Sequence, residues 1–166
     1  MRFEQLNENH NLNTFNCGET SINEFLKKKA LIWQNNNLTS CTLLIDNNNI
    51  IGFFTLSPSS AKRKYFKNIK AEEIPSDIPI VLLGMMGVDK SKKRKCIGSI
   101  LLIEVLRRTY ELYASSLKFR ALGVDALNEK SANFFEYQGF YRIPDTKKLF
   151  LPIQDIEAQL KHHKLI

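Results

Sequence analysis

Along the chain the spacing of apolar residues changes several times, and each change marks an element. From Glu19 onward Ile22, Phe25, Leu26, Ala30 and Trp33 recur near every 3.6 residues with Lys27, Lys28 and Lys29 largely to the side, which predicts one helix capped by Thr20 or Ser21. Ser40–Ile45 and Ile50–Leu56 are rich in β-formers and flank Asn47-Asn48-Asn49, so they predict a hairpin turned by asparagines that tolerate left-handed backbone. A Lys-rich connection from Ala61 to Asp77 follows, with Pro75 and Pro79 breaking any long helix. Ile80 to Val88 is almost continuously apolar, as expected of a central strand covered on both faces.

Beyond a basic stretch the period returns to that of a helix. Over Ile97–Tyr113, Ile97, Leu101 and Val105 form one row and Leu102, Leu106 and Tyr110 another. Phe119–Ala126 then predicts a buried strand, Asn128–Gln138 a short helix stopped by Gly139, and Lys148–Ile153 a last strand. The order helix, hairpin, strand–loop–helix, strand–helix, strand predicts a mixed α/β (α+β) fold with helices packed on a central sheet. At 166 residues, with no internal repeat and no long linker, one domain over 1–166 is expected.

Composition narrows the class. A hydrophobic fraction of 43% with 25% charged residues suits a globular chain that buries a core without metal or disulfide staples. No stretch reaches the ~20 apolar residues that cross a bilayer, and the polar start Met1–Asn7 lacks the apolar core of a signal peptide. Cys17, Cys41 and Cys96 are odd in number and far apart, which points to a reducing compartment and away from a zinc or disulfide framework. His10, His162 and His163 have no ligand spacing, so no metal is expected, and the histidine pair is read as part of a solvated basic tail. A cytoplasmic protein with no membrane association follows. The formal charge of +7 fits either a surplus of surface lysine or a polyanionic partner such as a nucleic acid or a phosphate-rich cofactor.

The most informative stretch runs from Leu83 through the basic loop Lys90–Lys95 to Ile97-Gly98-Ser99. A strand ending in a loop that feeds a helix start presents several unpaired backbone N–H groups, and these with the helix dipole favour an anion. Lys92, Lys93, Arg94 and Lys95 add positive charge at the same mouth, and Gly98 permits close approach. No GxxxxGK[ST] or GxGxxG is present, so neither common nucleotide loop applies. Taken alone, a solvated basic loop explains the same residues.

Met85-Met86-Gly87-Val88-Asp89 through Gly98-Ser99-Ile100-Leu101-Leu102 resembles the acetyl-coenzyme A segment of the GNAT acetyltransferases, in which a strand precedes a Q/R-x-x-G-x-G/A loop and a helix. Val124-Asp125-Ala126-Leu127-Asn128-Glu129 and Phe134-Phe135-Glu136-Tyr137-Gln138-Gly139-Phe140 resemble that family's V-D-A-x-N and F-Y-x-x-x-G-F segments. Phe15-Asn16-Cys17-Gly18, Phe25-Leu26 and Leu149-Phe150-Leu151-Pro152-Ile153 are similar to the toxin branch found in toxin–antitoxin pairs, which acetylates the amino group of aminoacyl-tRNA. The resemblance covers most of the chain. It implies a GNAT-like fold, a mostly antiparallel splayed sheet of about six or seven strands flanked by about four helices. It also implies acetyl-coenzyme A as co-substrate, a primary amine as acceptor, and tRNA and a small antitoxin protein as partners. Whether the chain is a homodimer is left open.

The resemblance also implies roles. Met86, Gly87 and Val88 would hold the pantetheine arm, with the Val88 N–H polarising the thioester carbonyl. Lys93, Arg94, Lys95, Cys96, Ile97, Gly98 and Ser99 would hold the pyrophosphate, and Asn128 would contact the cofactor, cap the next helix, or do both. Two positions depart from the pattern. Cys96 replaces the intervening loop glycine, where a positive φ would strain it and its side chain would crowd the phosphates, and Arg94 replaces another common glycine. A thiol beside a helix start is also a potential nucleophile. The usual acid, a tyrosine, falls on Phe135, which has no proton to donate. Tyr137 is the other phenol nearby, but two residues on it faces elsewhere around the helix. Two readings follow: an active N-acetyltransferase whose basic clusters Lys27–Lys29, Lys62–Lys64, Lys67 and Lys70 track tRNA phosphates, or a weakened GNAT-like protein that binds acyl-coenzyme A or a protein partner without efficient turnover.

Overall fold

The computed structural model describes residues 1–67, 69, 73–93 and 95–166, so the expectations for Lys70 and Arg94 lie outside the described residues. Among the described residues seven strands form one mixed sheet in the order β1-β2-β3-β4-β5-β7-β6. They are β1 (Arg2–Gln5), β2 (Ser40–Asp46), β3 (Asn49–Lys62), β4 (Asp77–Val88), β5 (Ala121–Asp125), β6 (Tyr141–Arg142) and β7 (Lys148–Pro152). The pairs β1–β2, β2–β3, β5–β7 and β6–β7 are antiparallel. The described residues also form five α-helices: α1 (Thr20–Lys28), α2 (Ala30–Asn35), α3 (Ile97–Ala114), α4 (Glu129–Tyr137) and α5 (Ile153–His162).

The chain divides into two compact units, Met1–Ser57 with Leu83–Val105, and Pro58–Leu82 with Leu106–Ile166. In the first, Phe15, Leu26, Leu43 and Phe53 are fully enclosed, and Phe15 meets Phe53 edge-on at 5.4 Å. The hairpin forms as expected, with Asn47 and Asn48 at φ 47° and 62°, while β3 continues past its apolar run to Lys62. The predicted single helix is instead two, interrupted at Lys29 (φ −120°, ψ −34°), whose C=O still accepts from the Trp33 N–H at 2.9 Å. Neither Thr20 nor Ser21 caps it: Glu19 stands at the N-cap and makes no side-chain bond there.

In the second unit β5 lies opposite β7 with Gly123 facing Phe150 in register. The chain closes not on the strand but on α5, which buries Ile153, Ile156 and Leu160 at helical spacing. His162 therefore ends a helix rather than lying in a loose tail, and it is exposed there. β1 and β6 are further elements that the sequence pattern did not predict.

Candidate functional site

Two groups of residues carry the expected chemistry, one in each unit. In the first, β4 delivers Met86, Gly87 and Val88 to the start of the basic loop. Gly87 is buried, and a Cβ there would stand 3.1 Å from Ile22 Cγ2, 3.1 Å from Phe53 Cε1 and 3.3 Å from Phe15 Cζ. A Cβ on Gly52 would come within 2.9 Å of Leu101 Cδ1 and 3.3 Å of the Gly87 carbonyl oxygen. The strand end thus lies close to β3, and a side chain at either glycine would be crowded.

The loop itself is fastened by Asp89. Its backbone N–H donates to the Ile51 carbonyl at 2.9 Å. Its carboxylate accepts from the Asn16 N–H at 3.0 Å, the Ser91 N–H at 3.0 Å and the Ser91 hydroxyl at 2.6 Å. Burial alone would raise the Asp89 pKa, but the Ser91 hydroxyl, the N–H groups of Asn16 and Ser91, and the nearby Lys90 outweigh it and hold the carboxyl below its ordinary value. The Lys90 N–H donates to the Asn16 carbonyl at 2.8 Å. The Asn16 side-chain oxygen accepts from the Gly18 N–H at 2.9 Å and from Asn23 Nδ2 at 3.0 Å. Asn23 Oδ1 in turn accepts from the Cys17 N–H at 2.9 Å. The Phe15–Gly18 segment and α1 therefore form one hydrogen-bonded frame around the loop entrance.

Lys93 and Lys95 are exposed, and Lys93 Nζ lies 3.3 Å from where a Cβ on Gly18 (φ 90°) would stand. Cys96 is exposed and has φ 58°, the left-handed conformation that glycine adopts freely and other residues resist. The first helical bond of α3 runs from the Ile100 N–H to the Cys96 carbonyl at 3.1 Å, so the N–H groups of Ile97, Gly98 and Ser99 precede any intrahelical acceptor. Exposed Lys93 and Lys95 belong to the same loop as these amides, a combination of charges and main-chain donors that can attract an anion.

In the second unit Asn128 is the N-cap of α4. Its Oδ1 accepts from the Ser131 N–H at 2.9 Å, and its own N–H donates to the Ser131 hydroxyl at 3.1 Å, a reciprocal capping box with Ser131 in the place usually held by glutamate. Phe135 is buried. It packs edge-on against Phe134 at 5.2 Å and Phe140 at 5.3 Å. The Phe140 N–H donates to the Phe135 carbonyl at 3.0 Å and the Gly139 N–H to the Glu136 carbonyl at 2.9 Å, with Gly139 at φ 94°. This is a Schellman stop whose apolar contact is the Phe135–Phe140 pair. Phe135 thus closes α4 and offers no proton. Tyr137 is 89% exposed and stands in solvent on another face of α4.

Sequence reasoning did not assign roles to Asn16, Asn23 or Asp89. Their only local trace is the Asn–Cys–Gly turn and an acidic residue at a strand end. Among the described residues no group of three His, Cys, Asp or Glu is placed to hold a metal ion, and no helix is long and apolar enough to cross a membrane.

Among the described residues, a seven-stranded, mostly antiparallel sheet in which β4 leads through a loop into α3 has the architecture of the GNAT acetyltransferases. Within that class the chain is similar to toxins, as its motifs imply. It is 25% identical over 155 residues, 93% of this chain and 93% of the relative, to a tRNA-acetylating toxin of Mycobacterium tuberculosis (strain ATCC 25618 / H37Rv). It matches AtaT complexed with acetyl-methionyl-tRNAfMet with a TM-score of 0.85 at 26% identity, over 96% of this chain and 98% of that one. It also matches a Tyr-to-Phe variant of the AtaT toxin bound to the C-terminus of the antitoxin AtaR and acetyl-CoA, with a TM-score of 0.81 at 26% identity over 96% and 97% of the two chains. No family model matches the chain.

Proposed function

We propose that this chain is an acetyl-CoA-dependent N-acetyltransferase that acetylates the amino group of aminoacyl-tRNA, acting as a toxin restrained by a small antitoxin protein. The observation that carries the reading is the left-handed turn at Cys96 after the Met86–Val88 strand, ahead of an α3 whose first helical bond, from the Ile100 N–H to the Cys96 carbonyl, leaves the N–H groups of Ile97, Gly98 and Ser99 before it. Those amides, with Lys93 and Lys95, suit a pyrophosphate whatever the side chain at 96, because a main-chain donor does not depend on residue type. The charge of +7 suits a phosphate-bearing acceptor. We read the chain as one acetyltransferase domain over 1–166 and its compartment as the cytoplasm, in keeping with three unpaired cysteines of which Cys17 and Cys41 are buried.

In the reaction the neutral acceptor nitrogen attacks the thioester carbon, the C–N bond forms, the nitrogen gives up a proton to water, and the C–S bond breaks. The Val88 N–H would polarise the carbonyl oxygen during that step. Phe135 has no proton for the departing thiolate, so water supplies it, and turnover is slower than with an acid in place. A second reading has the same observation behind it: with Phe135 buried as a helix stop and Tyr137 in solvent, the chain binds acyl-CoA or a protein partner without efficient turnover. Calorimetry with acetyl-CoA, followed by thiol release in the presence of aminoacyl-tRNA, tests both. Binding with aminoacyl-tRNA-dependent thiol release is the expected result. Binding without release selects the second reading, and no binding at millimolar acetyl-CoA overturns both.

A further inference from the structure

Asparagine competes with the backbone for hydrogen bonds and is a weak helix former, yet Asn23 lies within α1, half-buried. Its main chain belongs to the helix, with the N–H bonded to the Glu19 carbonyl at 3.0 Å, but its side chain turns back to the segment before it. Oδ1 accepts from the Cys17 N–H at 2.9 Å, and Nδ2 donates to Asn16 Oδ1 at 3.0 Å. That same oxygen of Asn16 accepts from the Gly18 N–H at 2.9 Å. The Cys17 N–H takes an acceptor and Asn16 Oδ1 a donor, so the two contacts together call for an amide at 23. A carboxylate or an apolar group of the same shape satisfies at most one of them.

The segment held in this way meets the basic loop at two places. The Asn16 N–H donates to Asp89 Oδ2 at 3.0 Å, and the Asn16 carbonyl accepts from the Lys90 N–H at 2.8 Å. Two residues on, Gly18 stands at φ 90°, where a Cβ would be only 3.3 Å from Lys93 Nζ. The loop entrance is thus bonded to Asn16, and a loop cation lies against Gly18. The helix behind them is anchored, since Phe25 and Leu26 are buried and Ile22 Cγ2 stands 3.1 Å from the place of a Cβ on Gly87. Asn23 therefore ties the loop entrance to a helix fixed in the core.

We propose that Asn23 is a positioning residue for phosphate binding, which acts through Asn16 to hold the loop entrance at Asp89 and Lys90 in the arrangement that receives a pyrophosphate. The proposal rests on the acetyltransferase reading for acetyl-CoA as the ligand. Without the amide at 23, the Asn16–Gly18 segment and the loop entrance populate other arrangements, and affinity falls in proportion to the population lost. Losing a half-buried hydrogen bond and leaving its partner unpaired lowers that population to about one tenth or less.

The test compares the full chain with Asn23→Asp, which keeps the acceptor for Cys17 but sets an oxygen against Asn16 Oδ1, and with Asn23→Ala, which removes the amide without adding charge. Thermal melts establish that each variant is folded, and the near-isosteric Asn23→Asp carries the test if Asn23→Ala does not fold. Calorimetry with acetyl-CoA and with inorganic pyrophosphate should show both probes bound about 10-fold more weakly by the variants. Thiol release should show KM for acetyl-CoA raised by a similar factor with kcat unchanged. With S-acetylpantetheine, a donor that has no phosphate, kcat/KM should be unchanged, whereas a merely structural role lowers both donors alike. Adding Asn23→Ala to Asn16→Ala should cost less than about 2-fold more, because the two residues act in series. Unaltered acetyl-CoA affinity in a folded variant, equal losses with the two donors, or additive losses in the double variant overturns the assignment and leaves the acetyltransferase reading standing. A natural chain that binds pyrophosphate but not acetyl-CoA overturns the acetyltransferase reading, and the variants' pyrophosphate affinities then decide the role of Asn23. A natural chain that binds neither overturns both.

Discussion

Replacing Cys96 with glycine separates what the backbone at the mouth of α3 requires from what its side chain does. At φ 58° the Cβ of Cys96 crowds the backbone oxygens, and left-handed geometry in a non-glycine residue costs roughly 1–2 kcal/mol. Glycine removes that strain, but its extra freedom in the unfolded chain takes back about 0.5–1 kcal/mol. The side chain is exposed, so its loss sacrifices little burial. The net expectation is a gain of about 0.5–1 kcal/mol, or a rise of roughly 1–4 °C in melting temperature for a chain of this size. Cys96→Ala is the control. It removes the sulfur but keeps the Cβ and its strain, so its stability should stay within about 0.5 kcal/mol of the natural chain.

Affinity for acetyl-CoA divides the two variants differently. Backbone strain is present with and without the ligand and cancels from binding, whereas a thiol crowding the phosphates is felt only in the complex. Both variants should therefore bind acetyl-CoA more tightly, by about 5-fold if the relieved crowding is ~1 kcal/mol. Thermal melts and calorimetry on the same preparations read both quantities. Cys96→Ala stabilising as much as Cys96→Gly would refute the strain argument. Weaker acetyl-CoA binding by Cys96→Gly would show that the loop is not the cradle.

Phe135→Tyr should raise thiol release, within the ~10²–10⁴-fold that a general acid supplies, while Tyr137→Phe leaves it unchanged; an unaltered rate in Phe135→Tyr counts against the proton-donor position. Gly87→Ala should lower the urea midpoint by an amount equivalent to about 1 kcal/mol, because a methyl there requires the Ile22, Phe53 and Phe15 side chains to shift slightly in a packed core, and an unmoved midpoint would mean the strand end is looser than it looks. The Asp89 carboxyl is held below its ordinary value, so its ionised form stabilises the folded chain above the unfolded-state pKa near 4, and that contribution is lost as pH falls through the lower folded value. Asp89→Asn should accordingly be less stable at neutral pH and lose less stability than the natural chain on acidification below about pH 4, as followed by urea titrations at several pH values. Parallel curves for the two would remove Asp89 from the acid response.

The long periodic elements were legible because many residues vote for each of them: α3 runs from Ile97 to Ala114 against a predicted end at Tyr113, and the β2–β3 turn sits on the expected asparagines. What escaped is short, or polar for a physical reason. β1 has four residues and β6 two, too few for a period to emerge. The extension of β3 through 57–62 is a polar, mostly exposed stretch and leaves no apolar trace. α5 does carry a helical row in Ile153, Ile156 and Leu160, but it starts directly behind the apolar run of β7 and was absorbed into that strand.

The site divides along the same line. A cradle of main-chain amides imposes almost nothing on the residues that carry them, so Cys96 stands where a glycine is usual and the turn still forms at φ 58°. Sequence constraint falls instead on whatever holds that backbone still: Gly87 and Gly52, where a Cβ would be crowded, and Asp89, which reaches back 73 residues to the Asn16 N–H. No local window contains both ends of that last bond, so no reading of spacing alone finds it. The same reasoning accounts for a chain that keeps the architecture of AtaT at a TM-score of 0.85 with only 26% identity. Because the proposed anion site is made of amides and the helix start that orients them, substitutions at the loop's side chains should tune affinity and rate, whereas substitutions in the frame that clamps the loop entrance should abolish binding.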